Sequence, residues 1–324
     1  MKIVKNGYWE NASVRVTIIT PTFNRRNTLD RAIRSIEAQT YMEWEYIIVD
    51  DGSCDDTYQL VKPFMENTNH PVMYIKKENG GVHTARNLGF RYARGELIIN
   101  LDSDDELTPN AVQTFLDAWD AIPSGQKKFY REVVAQCVDE NGKRVGKMFP
   151  PDINSMPKDA ARRCCDEIHG EHVACMVTSV MQSHLFPEPA GVTFVTEDIL
   201  WNRLDAEYLS YYTNDIARVY HMEGDDHLSE FTPRKKTIQS CRNTMWEAMT
   251  MLNSWDIYGN RKSRSYFRSI LIYCVMEQVL RQADRDGHPY RKDWRLTRIK
   301  DRCIRILLWI PASVAACIYR AKKL

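Results

Sequence analysis

The chain has no excess of charge of either sign. Its 44 Lys and Arg offset 43 Asp and Glu, for a net charge of +1. That argues against the broad basic surface by which proteins hold nucleic acid. It has no CxxC pair, and its nine cysteines are odd in number. Such thiols suit a reducing, cytoplasmic setting better than a disulfide framework. It has no internal repeat and no low-complexity segment. The opening residues, Met1 to Trp9, are too polar and too few for a secretory signal. An apolar stretch from Ile304 to Tyr319 falls short of the ~20 residues a membrane-spanning helix needs. One group of metal-ligating residue types, Cys164, Cys165, His169, His172 and Cys175, lacks the common zinc spacings.

What is present is a set of acidic and polar turns at the ends of apolar runs. Glu96-Leu97-Ile98-Ile99-Asn100 leads into Leu101-Asp102-Ser103-Asp104-Asp105. Carboxylates crowded at a strand end repel one another, and a hard divalent cation removes that cost. The same residues would also serve as a solvated acidic turn before the helix that begins near Pro109. Upstream, Glu45 to Val49 runs into Asp50-Asp51-Gly52-Ser53, and Val14 to Thr20 runs into Pro21-Thr22-Phe23-Asn24. Between them Leu29, Ala32, Ile33 and Ile36 recur at the spacing of one helix face, with Asn27 or Thr28 as its cap. Strand–helix alternation implies an α/β domain with a parallel sheet, in which ligands bind at the carboxyl ends of strands. Three separate loops would then share one cleft. A fourth segment, Asn79-Gly80-Gly81 with Ala85-Arg86-Asn87, joins a flexible turn to a helix start that suits an anion.

In this order these segments resemble glycosyltransferase family 2, the inverting GT-A enzymes. A fifth segment, Thr196-Glu197-Asp198-Ile199-Leu200-Trp201, resembles the family's Glu-Asp pair at a helix start. The resemblance spans roughly residues 14 to 229. It implies a GT-A, Rossmann-like mixed sheet with flanking helices. It implies a nucleotide-sugar pocket built from Pro21, Thr22, Phe23, Asn24, Asp51, Gly80, Arg86, Asp102 and Ser103. Asp51 would accept the imide N–H of a uracil-like base. Asp104, with Asp102 or Asp105, would hold Mn²⁺ or Mg²⁺ on the diphosphate. Asp198 would be the catalytic base, and Glu197 would bond acceptor or backbone groups. His221 or His227 could complete the metal shell, or lie on the surface. The chain departs from the family pattern at Phe23, where Tyr is usual, and at His83, where a small residue is usual.

The expected division is a catalytic domain over 1–229 and a helical region over 230–324, with helices near 238–257, 263–286 and 294–320. The turn-rich stretch 139–170 reads as a loop or acceptor-side insertion. The tail from about residue 301 is apolar, contains Trp309 and is flanked by Arg295, Arg298, Lys300, Arg302, Arg320, Lys322 and Lys323. It suits peripheral binding at the inner face of a membrane, and alternatively a packed terminal helix or an oligomer contact. The expected partners are a nucleotide sugar and a glycan or lipid-linked acceptor, as in surface polysaccharide assembly. A sugar nucleotidyltransferase and a non-catalytic nucleotide-sugar-binding protein are the competing readings. The first is disfavoured by the lack of an early glycine-rich phosphate loop with a downstream lysine, the second by retention of the metal carboxylates and a base.

Overall fold

Apolar runs rich in Val, Ile and Tyr become strands, and amphipathic runs become helices. In the computed structural model, residues 1–10, 12–158, 161, 170–221, 237–254, 263–285, 294–309, 312–313 and 315–316 are described. The strands are β1 (Lys2–Lys5), β2 (Val16–Thr22), β3 (Trp44–Asp50), β4 (Val72–Lys76), β5 (Leu97–Asn100), β6 (Glu106–Leu107), β7 (Tyr130–Asp139), β8 (His172–Val177) and β9 (Leu209–Tyr220). The helices are α1 (Arg26–Glu37), α2 (Thr57–Asn67), α3 (Val82–Tyr92), α4 (Ala111–Asp120), α5 (Thr178–Ser183), α6 (Asp198–Glu207), α7 (Ile238–Asn253), α8 (Ser263–Arg285) and α9 (Ile299–Leu307).

The chain divides into two compact units. One is Met1–Leu185 with Glu207–Gly224, and the other is Phe186–Ala206 with Asp225–Leu324. The expected boundary at 229/230 leaves Phe186–Ala206 with the catalytic domain; here that segment, with Glu197 and Asp198, groups with the helical unit.

The first unit is built on a nine-stranded mixed sheet ordered β1-β4-β3-β2-β5-β8-β7-β9-β6. Its heart, β4-β3-β2-β5, is parallel. Every residue of β2 and β3 is buried, as expected of strands covered on both faces. Leu29, Ala32, Ile33 and Ile36 of α1 are buried in the same core. Pro21 is tolerated inside β2 because the β5 ladder stops at Ile19, so no pairing is lost there. Neither Asn27 nor Thr28 caps α1. The helix starts one turn earlier, and Asp55 of the next loop accepts from the Arg26 N–H at 3.2 Å. A carboxylate at a helix N-terminus meets unpaired N–H groups and the positive end of the dipole.

The second unit is helical. Cys241, Met245, Trp246 and Leu252 of α7 are buried, as are Ile270, Tyr273, Cys274 and Leu280 of α8. α9 docks by polar pairs: Arg305 reaches the buried Glu277 of α8 at 2.7 Å, and Tyr266 donates to the buried Asp301. Its last turn exposes apolar side chains, Ile306 69% and Leu307 77%, with Trp309 38% exposed just beyond it. Pro311, Val314 and Ile318 lie outside the described residues. Among the described residues, no helix is long and apolar enough to cross a membrane.

Candidate active site

In the first unit, hydrogen bonds stitch the four predicted donor-side segments to one another. The Asn24 N–H donates to Ser53 Oγ at 2.9 Å, and Asn24 Oδ1 accepts from the Cys54 N–H at 2.8 Å. The Asp51 N–H donates to the Thr22 carbonyl at 2.8 Å. The loop after β2 is thereby fixed to the loop after β3. Asn24 holds this position at φ 53°, a left-handed conformation that Asn adopts more readily than most residues. Phe23 projects from the loop, 44% exposed. Thr22 Oγ1 is buried and has no hydrogen-bond partner among the described residues.

Asp51 organises the glycine turn. Its Oδ1 accepts from the Gly80 N–H at 3.0 Å and from Lys77 Nζ, and its Oδ2 accepts from the Gly81 N–H at 2.8 Å. Gly81 sits at φ 95°, which side chains disfavour, so the turn that presents both N–H groups requires glycine there. An ionised carboxylate has about four acceptor positions, so about one is left on Oδ2. Arg86, on the second turn of α3, donates to Asp102 at 3.0 Å and so reaches the acidic loop after β5.

The three carboxylates after β5 part ways. Asp102 and Asp104 are half-buried at the strand end, Asp102 on Arg86 and Asp104 3.8 Å from Arg25. Arg31 donates to the Asp104 carbonyl. Ser103 is buried between them. Asp105 turns inward, 2% exposed, 3.3 Å from Arg218 of β9, and accepts the His221 N–H at 3.1 Å. Burial pushes its carboxyl up to about 6, against the pull of Arg218 and that N–H. Asp105 and His221, expected as metal ligands, are both engaged with other groups here. Asp105 is occupied inside, and His221 Nε2 lies 2.7 Å from Glu106. His227 lies outside the described residues, as do Cys164, Cys165 and His169. His172 and Cys175, three apart on β8, face opposite sides of the strand and cannot share an ion.

Residues 17–175 match the model of the family described as glycosyl transferase family 2. The chain carries a glycosyl transferase family 2 domain. A Campylobacter jejuni relative, GalNAc(5)-diNAcBac-PP-undecaprenol beta-1,3-glucosyltransferase, is 28% identical over 218 residues, 65% of this chain and 66% of its own length. Chondroitin synthase of Pasteurella multocida is 33% identical over 130 residues, 40% of this chain and 12% of its own length. The chain thus spans just under two thirds of the first relative and about an eighth of the second. The crystal structure of S. aureus TarS 1-349 in complex with UDP-GlcNAc aligns over 92% of this chain and 79% of that chain, with a TM-score of 0.57 and 16% identity. That likeness establishes the GT-A fold.

In the family 2 domain the fit to a divalent cation is tested by the donor set. Among the described residues, no three His, Cys, Asp or Glu side chains form a ready-made metal site. Magnesium and manganese do not require one, since one or two carboxylates plus substrate phosphates suffice. Asp102 and Asp104, hard oxygen donors at a strand end, fit that role.

Glu197 and Asp198 open α6 in the helical unit, and both are exposed. Glu197 accepts from Trp201 Nε1 at 3.1 Å, and the Asp198 carbonyl accepts from Asn202 at 2.6 Å. Four residues near the site escape a sequence reading: Arg25, Arg31, Lys77 and Arg218. Lys77 alone carried a signal, because it follows β4, whose carboxyl end lies on the same edge of the sheet as those of β2, β3 and β5.

Proposed function

We propose that the chain transfers a sugar from a nucleotide-diphosphate sugar, with UDP as the nucleotide, to a hydroxyl of a glycan or lipid-linked glycan, with inversion at the anomeric carbon. The observation that carries this is Asp51. Its carboxylate is clasped by the glycine turn beside Thr22 and Phe23, and Arg86 links the same turn's helix to Asp102. A carboxylate with one open acceptor position suits the imide N–H of uracil, and exposed Phe23 supplies a stacking face. Asp102 and Asp104 would hold the cation, which when bound supplies neutralisation of the leaving diphosphate. Asp198 removes the acceptor proton as general base. One base and no covalent nucleophile give direct displacement. Glu197 is engaged with Trp201 and positions the start of α6.

Isothermal titration with UDP, with and without Mn²⁺, tests the donor assignments. Asp51→Ala should weaken UDP binding in both conditions, because base contact and glycine turn are lost together. Asp104→Ala should lose only the metal-dependent part. Equal metal enhancement in the Asp104→Ala and native proteins would refute the metal assignment.

α9 supports a membrane-surface location, at the inner face in the cytoplasm. Its exposed Ile306 and Leu307, with Trp309 just beyond it, lie near the exposed Arg302. Buried apolar surface contributes ~25 cal/mol per Å², and each nearby cation adds about 1 kcal/mol at an anionic surface. Ile306→Glu with Leu307→Glu should release the protein from phosphatidylglycerol vesicles without altering UDP binding. Unchanged sedimentation with vesicles would sink this location. An acceptor carried on a lipid follows from this placement, and the Campylobacter jejuni relative is named for an undecaprenol-linked acceptor.

A further inference from the structure

Away from the donor loops, the first unit carries a groove between α4 and the first half of β9. Its cavity volume is about 300 Å³, and Thr114, Asp117, Tyr211, Tyr212, Thr213 and Asp215 line it. The lining follows two periods. Tyr211, Thr213 and Asp215 are spaced two apart on the strand, and Thr114 and Asp117 three apart on the helix. β6 pairs with β9 only at Arg218 and Val219, so among the described residues no strand fills the space beside the first half of β9 on that side. Tyr212 closes its own backbone groups there on the Asn154 side-chain amide, donating and accepting at 2.8 Å.

The chemistry of the lining selects a ligand class. Its side chains offer three hydroxyls, two carboxylates and one phenol ring, and no Lys, Arg or His; the Tyr212 ring, one position out of step, packs against Phe149 with centroids 4.9 Å apart. A phosphate or nucleotide would meet only like charge. Asp117 is bonded to Gln113 at 2.7 Å and Asp215 to the Thr213 hydroxyl, so neither carboxylate is committed to a cation. Each keeps acceptor positions for hydroxyl donors. Tyr211 is half-buried and braced edge-on by Tyr130, with ring centroids 6.0 Å apart. A fixed aromatic ring accepts the C–H face of a sugar, and carboxylates accept its hydroxyls. The volume lies at the small end of ligand pockets, which run from roughly 300 Å³ upward, and so suits one or two sugar rings. Along β9 the lining from Tyr211 to Asp215 lies eight to four residues before Val219, the partner of Glu106. At ~3.3 Å per residue that sets it roughly 13 to 26 Å along the strand from the acidic loop.

We propose that this groove is a second, non-catalytic carbohydrate site that holds a neutral stretch of glycan remote from the donor loops. It rests on the glycosyl-transfer reading only for the source of that glycan, the acceptor or product chain.

The test is saturation-transfer NMR on the full chain with chitobiose, lactose and maltose, each with and without saturating UDP. At least one disaccharide should receive saturation from tyrosine ring protons, unchanged by UDP. In the double variant Asp117→Ala, Asp215→Ala its affinity should fall at least tenfold, because hydrogen bonds to charged acceptors are lost. Both residues are exposed, so folding and UDP binding should be retained, and UDP titration checks this. No transfer to any of the three, transfer abolished by UDP, or full transfer in the double variant overturns the proposal. Glycan binding with no UDP binding would leave the groove standing and remove the donor reading. UDP binding with no glycan binding would do the reverse.

Discussion

Asp198→Asn should lower sugar transfer by ~10²–10⁴-fold, the range of a lost general base, while UDP-sugar affinity changes little. The amide keeps the shape of the side chain and cannot take a proton. Asp198 is exposed at the first turn of α6, where a carboxylate is also favoured by the helix dipole, so the substitution costs stability only modestly. A thermal melt separates that cost from the kinetic one. Product analysed by NMR should show an inverted anomeric centre. Near-normal turnover by the Asn variant, or a retained configuration, removes Asp198 from the reaction.

The largest stability effect is expected at Arg218. Its guanidinium is buried and serves three partners: Asp105 at 3.3 Å, Glu171 at 3.1 Å and Cys137 Sγ at 3.3 Å. Arg218→Met keeps much of the volume and removes the charge. Asp105 is then left buried without its cation, a change that costs about 3–5 kcal/mol in comparable buried pairs. The loss should depend on pH. Asp105 already titrates near 6 in the fold, above the ~3.9 of an unfolded chain, because of burial. Removing the cation raises it further. A raised carboxyl favours the fold only while protonated, so that contribution is complete below the unfolded value and fades as pH rises through the folded one. Urea unfolding of the variant should therefore show a larger deficit at pH 8 than at pH 5. Equal unfolding midpoints for variant and native protein would mean that the pair contributes nothing.

These two residues also mark where sequence reading stops. Asp51, Arg86 and Asp102 sit at strand ends and a helix start. Strand periodicity and the rule that ligands gather at carboxyl ends bring such positions together without knowledge of packing. Arg218 lies inside a strand whose neighbours are set by a parallel pairing with β7 and a two-residue pairing with β6. No local pattern announces that it will meet Asp105. The same holds for the cap of α1, where propensity favours Asn27 or Thr28 and a carboxylate from the next loop prevails. Asp105 itself looked like its neighbours Asp102 and Asp104. Only the tertiary partner separates a buried structural carboxylate from the two that face the strand end.

The clasp around Asp51 bears on how the donor arrives. Two glycine N–H groups and an ammonium already hold that carboxylate in place. A nucleotide base therefore meets a turn whose conformational entropy was surrendered during folding. Little ordering remains to offset the contacts it makes, so affinity comes from rigidity as much as from contact number. Association at this turn should then be a single bimolecular phase with no slower loop-closing step behind it.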